Sequence, residues 1–281
     1  MAAGPREPAW LGSWRSNATP GFVCTEVRTD TAPDFPDTAL FPAATLRRYG
    51  VQELVHTRWR DTLRDDAPEL LFCCARLPDE LHAYGLYHAA ADGVDQAALR
   101  GGPAKRLPDA LVIYKDRWVA WTEPEAPDGP HLVNYEELFG KLCSALPAAR
   151  WQLPDAVMRL AALDPSPAAV TFVPDGFLKA AAIGPVITAE FPTGDGRAEL
   201  FQALPSQHSH GAVCMDALRN AWARQGLTVT AVAHAGETRL FAPDTPDGPV
   251  YAVLTDSGLC GVRGLAHLSD ARALVARWLN Q

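Results

Sequence analysis

The chain passes through one order of patterns twice, and that repetition constrains its fold more than any single motif. Each half holds a strand opening Glu-Leu (Glu69-Leu70, Glu199-Leu200) and then a Leu-Pro (Leu77-Pro78, Leu204-Pro205). A helix, a hairpin and a capped C-terminal helix follow in both. Two long copies argue for duplicated α+β halves, since a solenoid needs at least three short repeats. Hairpins join neighbouring strands antiparallel, so each half is expected to be a mostly antiparallel sheet with helices on one face.

In the first half, Leu46 to Trp59 reads as the opening element of a strand–turn–strand pattern, and the apolar run Glu69 to Ala75 as a buried strand. Asp79 suits an N-cap for a helix over 80–91. Ala110–Tyr114 and Arg117–Trp121, separated by Lys115-Asp116, make a hairpin. Asn134-Tyr-Glu-Glu137 resembles a capping box and predicts a helix to Leu146 that buries Leu138, Leu142 and Leu146. In the second half, Val186–Phe191 is a strand and 211–224 a helix ended by Gly226. Strands are expected around 228–232 and 238–241. Val250–Leu254 returns at Leu259 as a hairpin, and Ser269 caps the last helix.

The implied organisation is an extended N-terminal arm (1–45), a first α+β half (46–146), a proline-rich link (147–182) and a second α+β half (183–281). Trp10 and Trp14 are read as clamping the arm. Trp118 and Trp121, three apart on one strand, fall on opposite faces, which predicts one exposed or interfacial tryptophan.

Hydrophobic residues at 48% and charged residues at 21% fit a folded protein, and a net charge of −8 without a basic cluster argues against nucleic acid as a partner. No apolar run approaches the ~18 residues of a membrane span. No leader-like run precedes Trp14, so the chain reads as cytoplasmic, or as exported if a leader has been removed. Six dispersed cysteines, without a C-x-x-C, read as reduced thiols packed like small hydrophobes.

Three stretches resemble an uncharacterised, often exported bacterial domain family of unknown function, loosely over 40–125 and better over 163–279. Leu40 to Trp59 contains Tyr49-Gly50-Val51 before an arginine-containing strand; Ala110 to Trp121 supplies an aromatic-rich hairpin; Ile187-Thr-Ala-Glu-Phe191 runs on to the helix at Gly211. The family pattern carries an Asn/Asp-Gly-Ala-Glu cluster just before the Tyr-Gly. Here that place reads Pro42-Ala-Ala-Thr45, without the glycine or the acid. The resemblance implies a fold and brings no reaction.

The most suggestive chemistry is His208-Ser-His210 with Cys214 four residues on, because two imidazoles and a thiolate suit zinc or copper. A fourth ligand is not visible nearby. The plainer reading has both histidines solvating a helix start while Cys214 packs inward. The vicinal Cys73-Cys74 alternates faces within its strand. Gly258-Leu-Cys-Gly261-Val-Arg-Gly264 lacks the order and the setting of a phosphate loop. The leading expectation is a non-catalytic binding or accessory subunit, with another protein as partner and no cofactor, using the surface between the halves. The alternative is an enzyme or metal carrier with a site in the cleft between them.

Overall fold

The computed structural model describes residues 21–63, 69–90, 94–96, 103–108, 110–124, 132–147, 153–163, 170–180, 183–193, 196–204, 211–231, 239–246, 248–255 and 258–280. The chain divides into two units, Met1–Gln152 and Leu153–Gln281.

Unit 1 runs β1 (Phe22–Thr31), α1 (Ala43–Arg48), β2 (Glu53–Asp61), β3 (Leu70–Arg76), α2 (Glu80–Ala89), β4 (Val94–Gln96), β5 (Ala104–Arg106), β6 (Leu111–Lys115), β7 (Trp118–Pro124) and α3 (Leu132–Ala145). Its sheet has the order β1-β2-β3-β7-β6-β5-β4, antiparallel throughout. Asp79 caps α2 as expected, its carboxylate accepting the His82 N–H at 2.9 Å. The β6–β7 hairpin closes on Lys115 and Trp118, so its turn residues are Asp116 and Arg117, one place later than the sequence suggested. Asp116 takes φ +53°, a left-handed conformation that aspartate tolerates better than most residues.

Unit 2 runs α4 (Asp155–Ala161), β8 (Val170–Val173), a 3-10 turn (Phe177–Lys179), β9 (Val186–Thr193), β10 (Gly196–Ala203), α5 (Gly211–Arg224), β11 (Thr230–Ala231), β12 (Arg239–Ala242), β13 (Val250–Thr255), β14 (Gly258–Arg263) and α6 (Leu268–Leu279). Its sheet order is β8-β9-β10-β14-β13-β12-β11. That is the topology of unit 1 strand for strand: a three-strand meander, a helix, a four-strand meander and a closing helix. The duplication is therefore real at the level of the fold. Gly226, at φ +71°, ends α5 and lets the Leu227 N–H reach the Trp222 carbonyl at 3.0 Å.

The α+β class with two similar, antiparallel halves is what the protein has. Helix placement differs in one respect, because both faces of each sheet are covered rather than one. In unit 1, Trp59, Phe72, Cys74, Ile113 and Ala120 pack under Leu138, Phe139, Leu142 and Cys143 of α3. Tyr114 points the other way and meets Tyr84 and Tyr87 of α2, with ring centroids 5.9 and 5.0 Å apart. In unit 2, Phe201, Ala252 and Leu259 pack under Cys214, Leu218 and Trp222 of α5. Helix α6 also lies against β13 and β14, but buries Ala271, Val275 and Trp278 outside that cluster. The central strands had signalled this: Leu-Leu-Phe-Cys-Cys-Ala, Leu-Val-Ile-Tyr and Val-Tyr-Ala-Val are continuous apolar runs, the mark of a strand buried on both sides.

Two covered faces also correct the tryptophan reading. Trp118 and Trp121 do point to opposite faces, yet both are buried, at 3% and 0% exposure. The assigned arm contains β1, an edge strand of the first sheet, and the assigned link contains α4 and β8, which belong to unit 2. Leu46 lies in α1 rather than opening a strand: the Asp37 carboxylate takes the Ala43 N–H at 2.7 Å and Leu46 is buried. Helix α3 already begins at Leu132, so Asn134 sits in its first turn. Helix α6 begins at Leu268, with the His267 carbonyl taking the first amide bonds, and Ser269 bonds Asp270 instead of capping. Leu279, the last residue of that helix, is 40% exposed. Trp10 and Trp14 lie outside the described residues.

Candidate functional site

Strand register assembles the most suggestive set of side chains, in unit 1. Arg28 pairs with His56, His56 with Cys73, and Cys73 with Trp121, giving a row across β1, β2, β3 and β7. The Cys73 sulfur lies 3.4 Å from His56 Nδ1. His56 Nε2 lies 3.4 Å from Asp30 Oδ2, and Arg28 donates to Asp30 Oδ1 at 3.0 and 2.8 Å. At the other end of the row the Trp121 indole N–H donates to Glu123 Oε1 at 2.8 Å, and the Ala39 amide reaches the same oxygen at 3.0 Å.

Thiol, imidazole and carboxylate thus stand in the order of a nucleophile, its base and the group that orients the base. Their electrostatics run against that chemistry. Burial pushes the Cys73 thiol well above its ordinary range, and the Glu123 carboxylate pushes it further. Burial also lowers His56 below 6.5, outweighing the attraction of Asp30. The sulfur is 0% exposed. Neutral thiol and neutral imidazole are favoured over thiolate and imidazolium.

A pH dependence follows. A histidine with a depressed folded pKa leaves the unfolded chain binding more protons, so stability rises with pH across that window. Unit 1 is therefore expected to lose stability as pH falls below about 6.5 toward the folded pKa of His56. Denaturation midpoints from pH 8 to 5 check this, because His56→Gln should flatten that part of the slope; an unchanged slope in the variant refutes it.

Unit 2 lacks this row. The two hairpins close on Lys115–Trp118 and Thr255–Gly258, which makes Trp121 equivalent to Gly261. The row Arg28–His56–Cys73–Trp121 then corresponds to Thr171–Thr188–Phe201–Gly261. Bulk is exchanged across one strand pair: unit 1 sets a large indole beside a cysteine, and unit 2 a phenyl ring beside a glycine. In the same register Leu71 matches Glu199, so the two Glu-Leu markers are displaced by two residues even though their strands are equivalent.

Glu199 belongs to a second candidate, a polar pocket of about 270 Å³ lined by Glu190, Arg197, Glu199, Arg263 and the backbone around Gly264. Arg197 pairs with Glu190 at 2.9 Å, and Arg263 pairs with Glu199. Burial raises the Glu199 carboxyl while Arg263 opposes the rise. Each charge there meets an opposite one from a neighbouring strand.

Of the metal candidates, Cys214 is 1% exposed and packs with Met215, Leu218 and Trp222 in the core of unit 2. His208 and His210 lie outside the described residues. Among the described residues, no three His, Cys, Asp or Glu side chains are grouped to hold a metal ion. No described helix is long and apolar enough to cross a membrane. Sequence reasoning missed His56 and Asp30, because they come from separate strands and neither forms a local motif. No family model, curated protein or solved structure matches the chain, so the family resemblance rests on its three stretches alone.

Proposed function

We propose that the chain is a non-catalytic binding or accessory subunit whose partner is another protein. The observation that carries this reading is the state of Cys73. It is the one described thiol placed beside an imidazole and a carboxylate in nucleophile order, and it is buried and held protonated. A working cysteine nucleophile needs the reverse, an accessible sulfur with a lowered pKa. The tryptophans no longer support the reading, since Trp59, Trp118, Trp121, Trp222 and Trp278 all lie in the cores of their units. What remains is a duplicated frame whose row of polar groups is tuned for packing.

Alkylation tests the claim. With iodoacetamide at neutral pH, Cys73 of the native full chain should stay unmodified and should react only after denaturation. Affinity capture of the tagged chain from its own cells should return one protein partner in stoichiometric amount. Rapid labelling of native Cys73, with the chain recovered alone, would overturn the proposal in favour of an enzyme.

A further inference from the structure

Unit 1 buries two further thiols, Cys74 and Cys143, in one core cluster on the opposite face of the sheet from Cys73. Phe72 of β3 and Phe139 of α3 meet edge to face, with centroids 5.7 Å apart. Cys74 lies two residues beyond Phe72, about 6.6 Å along the strand. Cys143 lies four residues beyond Phe139, about 6 Å along the helix. The Lys115 charge acts on Cys143, and Lys115 lies across Trp118 of β7 from Arg76, so α3 runs from Phe139 toward the Cys74 end of β3. From one shared contact, the two cysteines therefore move the same way by nearly the same length. Both belong to one core cluster, at 0% and 1% exposure. Cys143 is also close enough to be among the groups that raise the Cys74 thiol.

We propose that Cys74 and Cys143 form a redox-sensitive lock that hydrogen peroxide closes as a disulfide, fastening α3 to the sheet of unit 1. Both thiols are free in the resting protein. Cys143 sits in the last turn of α3, which ends at Ala145, and helix ends open at the lowest cost in free energy. Opening relieves the burial that keeps this thiol protonated, while the Lys115 ammonium still favours the thiolate. The thiolate attacks the peroxide oxygen, the O–O bond breaks, and a sulfenic acid forms with release of water. The Cys74 sulfur then attacks the sulfenic sulfur and a second water leaves. Two thiols are oxidised by two electrons and one peroxide is reduced to two waters. Cys73 is excluded by its direction, since it faces His56 on the other side of the sheet.

The test treats the native full chain with hydrogen peroxide and maps its peptides without reduction. The expected product joins Cys74 to Cys143, lowers the free thiol count by two and raises the melting temperature by roughly 10 °C, reversibly with dithiothreitol. Cys73→Ser should keep the crosslink, whereas Cys74→Ser and Cys143→Ser should each abolish it. Fragmentation of the crosslinked peptide from the unaltered chain assigns the sulfurs even if a variant fails to fold. A Cys73–Cys74 bridge, a bridge to Cys24, sulfinic acid without a crosslink, or six thiols surviving peroxide would each overturn the proposal.

Discussion

Gly261→Ala is expected to destabilise unit 2 by about 3 kcal/mol or more, at the upper end of what overpacking costs. A β-carbon at that position would stand 2.2 Å from the Tyr251 carbonyl oxygen and 2.6 Å from the Phe201 ring. The oxygen belongs to the backbone of β13, the strand paired with β14 at Ala252 and Gly261, so it cannot withdraw without disturbing the ladder. Truncating Phe201 in the same chain frees the ring side but leaves the carbonyl clash, and rescue should be partial. Gly176→Ala is the contrast: no atom lies within 4 Å, and only the left-handed φ of +67° opposes the change, a cost on the order of 1 kcal/mol. Urea titration followed by near-ultraviolet circular dichroism reads both variants. A Gly261→Ala protein within 0.5 kcal/mol of the parent would show that the two strands sit further apart than described.

Trp121→Ala should cost unit 1 roughly 3–5 kcal/mol, the range for emptying a buried indole site. The side chain is 0% exposed and packs edge-on against Phe41 at 5.0 Å. Its loss also removes one of the donors to Glu123, a carboxylate only 7% exposed. Trp121→Phe restores most of the volume without the N–H, so its smaller loss, about 1–3 kcal/mol, isolates the lost indole hydrogen bond to the carboxylate. Bulk is exchanged between Cys73 and Trp121 relative to unit 2, and the two sites should therefore be coupled. Cys73→Phe is expected to be less damaging in the Trp121→Ala background than in the parent, by roughly 0.5–3 kcal/mol. Additive losses would refute the equivalence of the two rows.

The hairpins, the Asp79 cap, the Gly226 stop and the repeated order of elements were legible in the sequence. Each depends on residues a few places apart: a pair of turn residues, a carboxylate three before an amide, a glycine that accepts positive φ. Helix starts were read less well. Asn134 and Ser269 carry good capping chemistry, but the helices begin two residues before Asn134 and one before Ser269. The edge strands β1 and β8 were hidden in segments that read as arm and link. An edge strand packs one side only and lacks the continuous apolar run that marked β3, β6 and β13.

The sequence by itself determined that this chain makes two antiparallel α+β units of one topology, because periodicity and turn chemistry are local. Which side chains stand beside one another was decided only in the tertiary structure. Asp30, His56, Cys73 and Glu123 come from four strands, and a one-residue slip in any pairing would send a member of the row to the opposite face. The protonation of Cys73 was likewise beyond the sequence. A thiol beside a histidine can be nucleophile or filler, and here the helices laid over that face remove the water that would stabilise the thiolate.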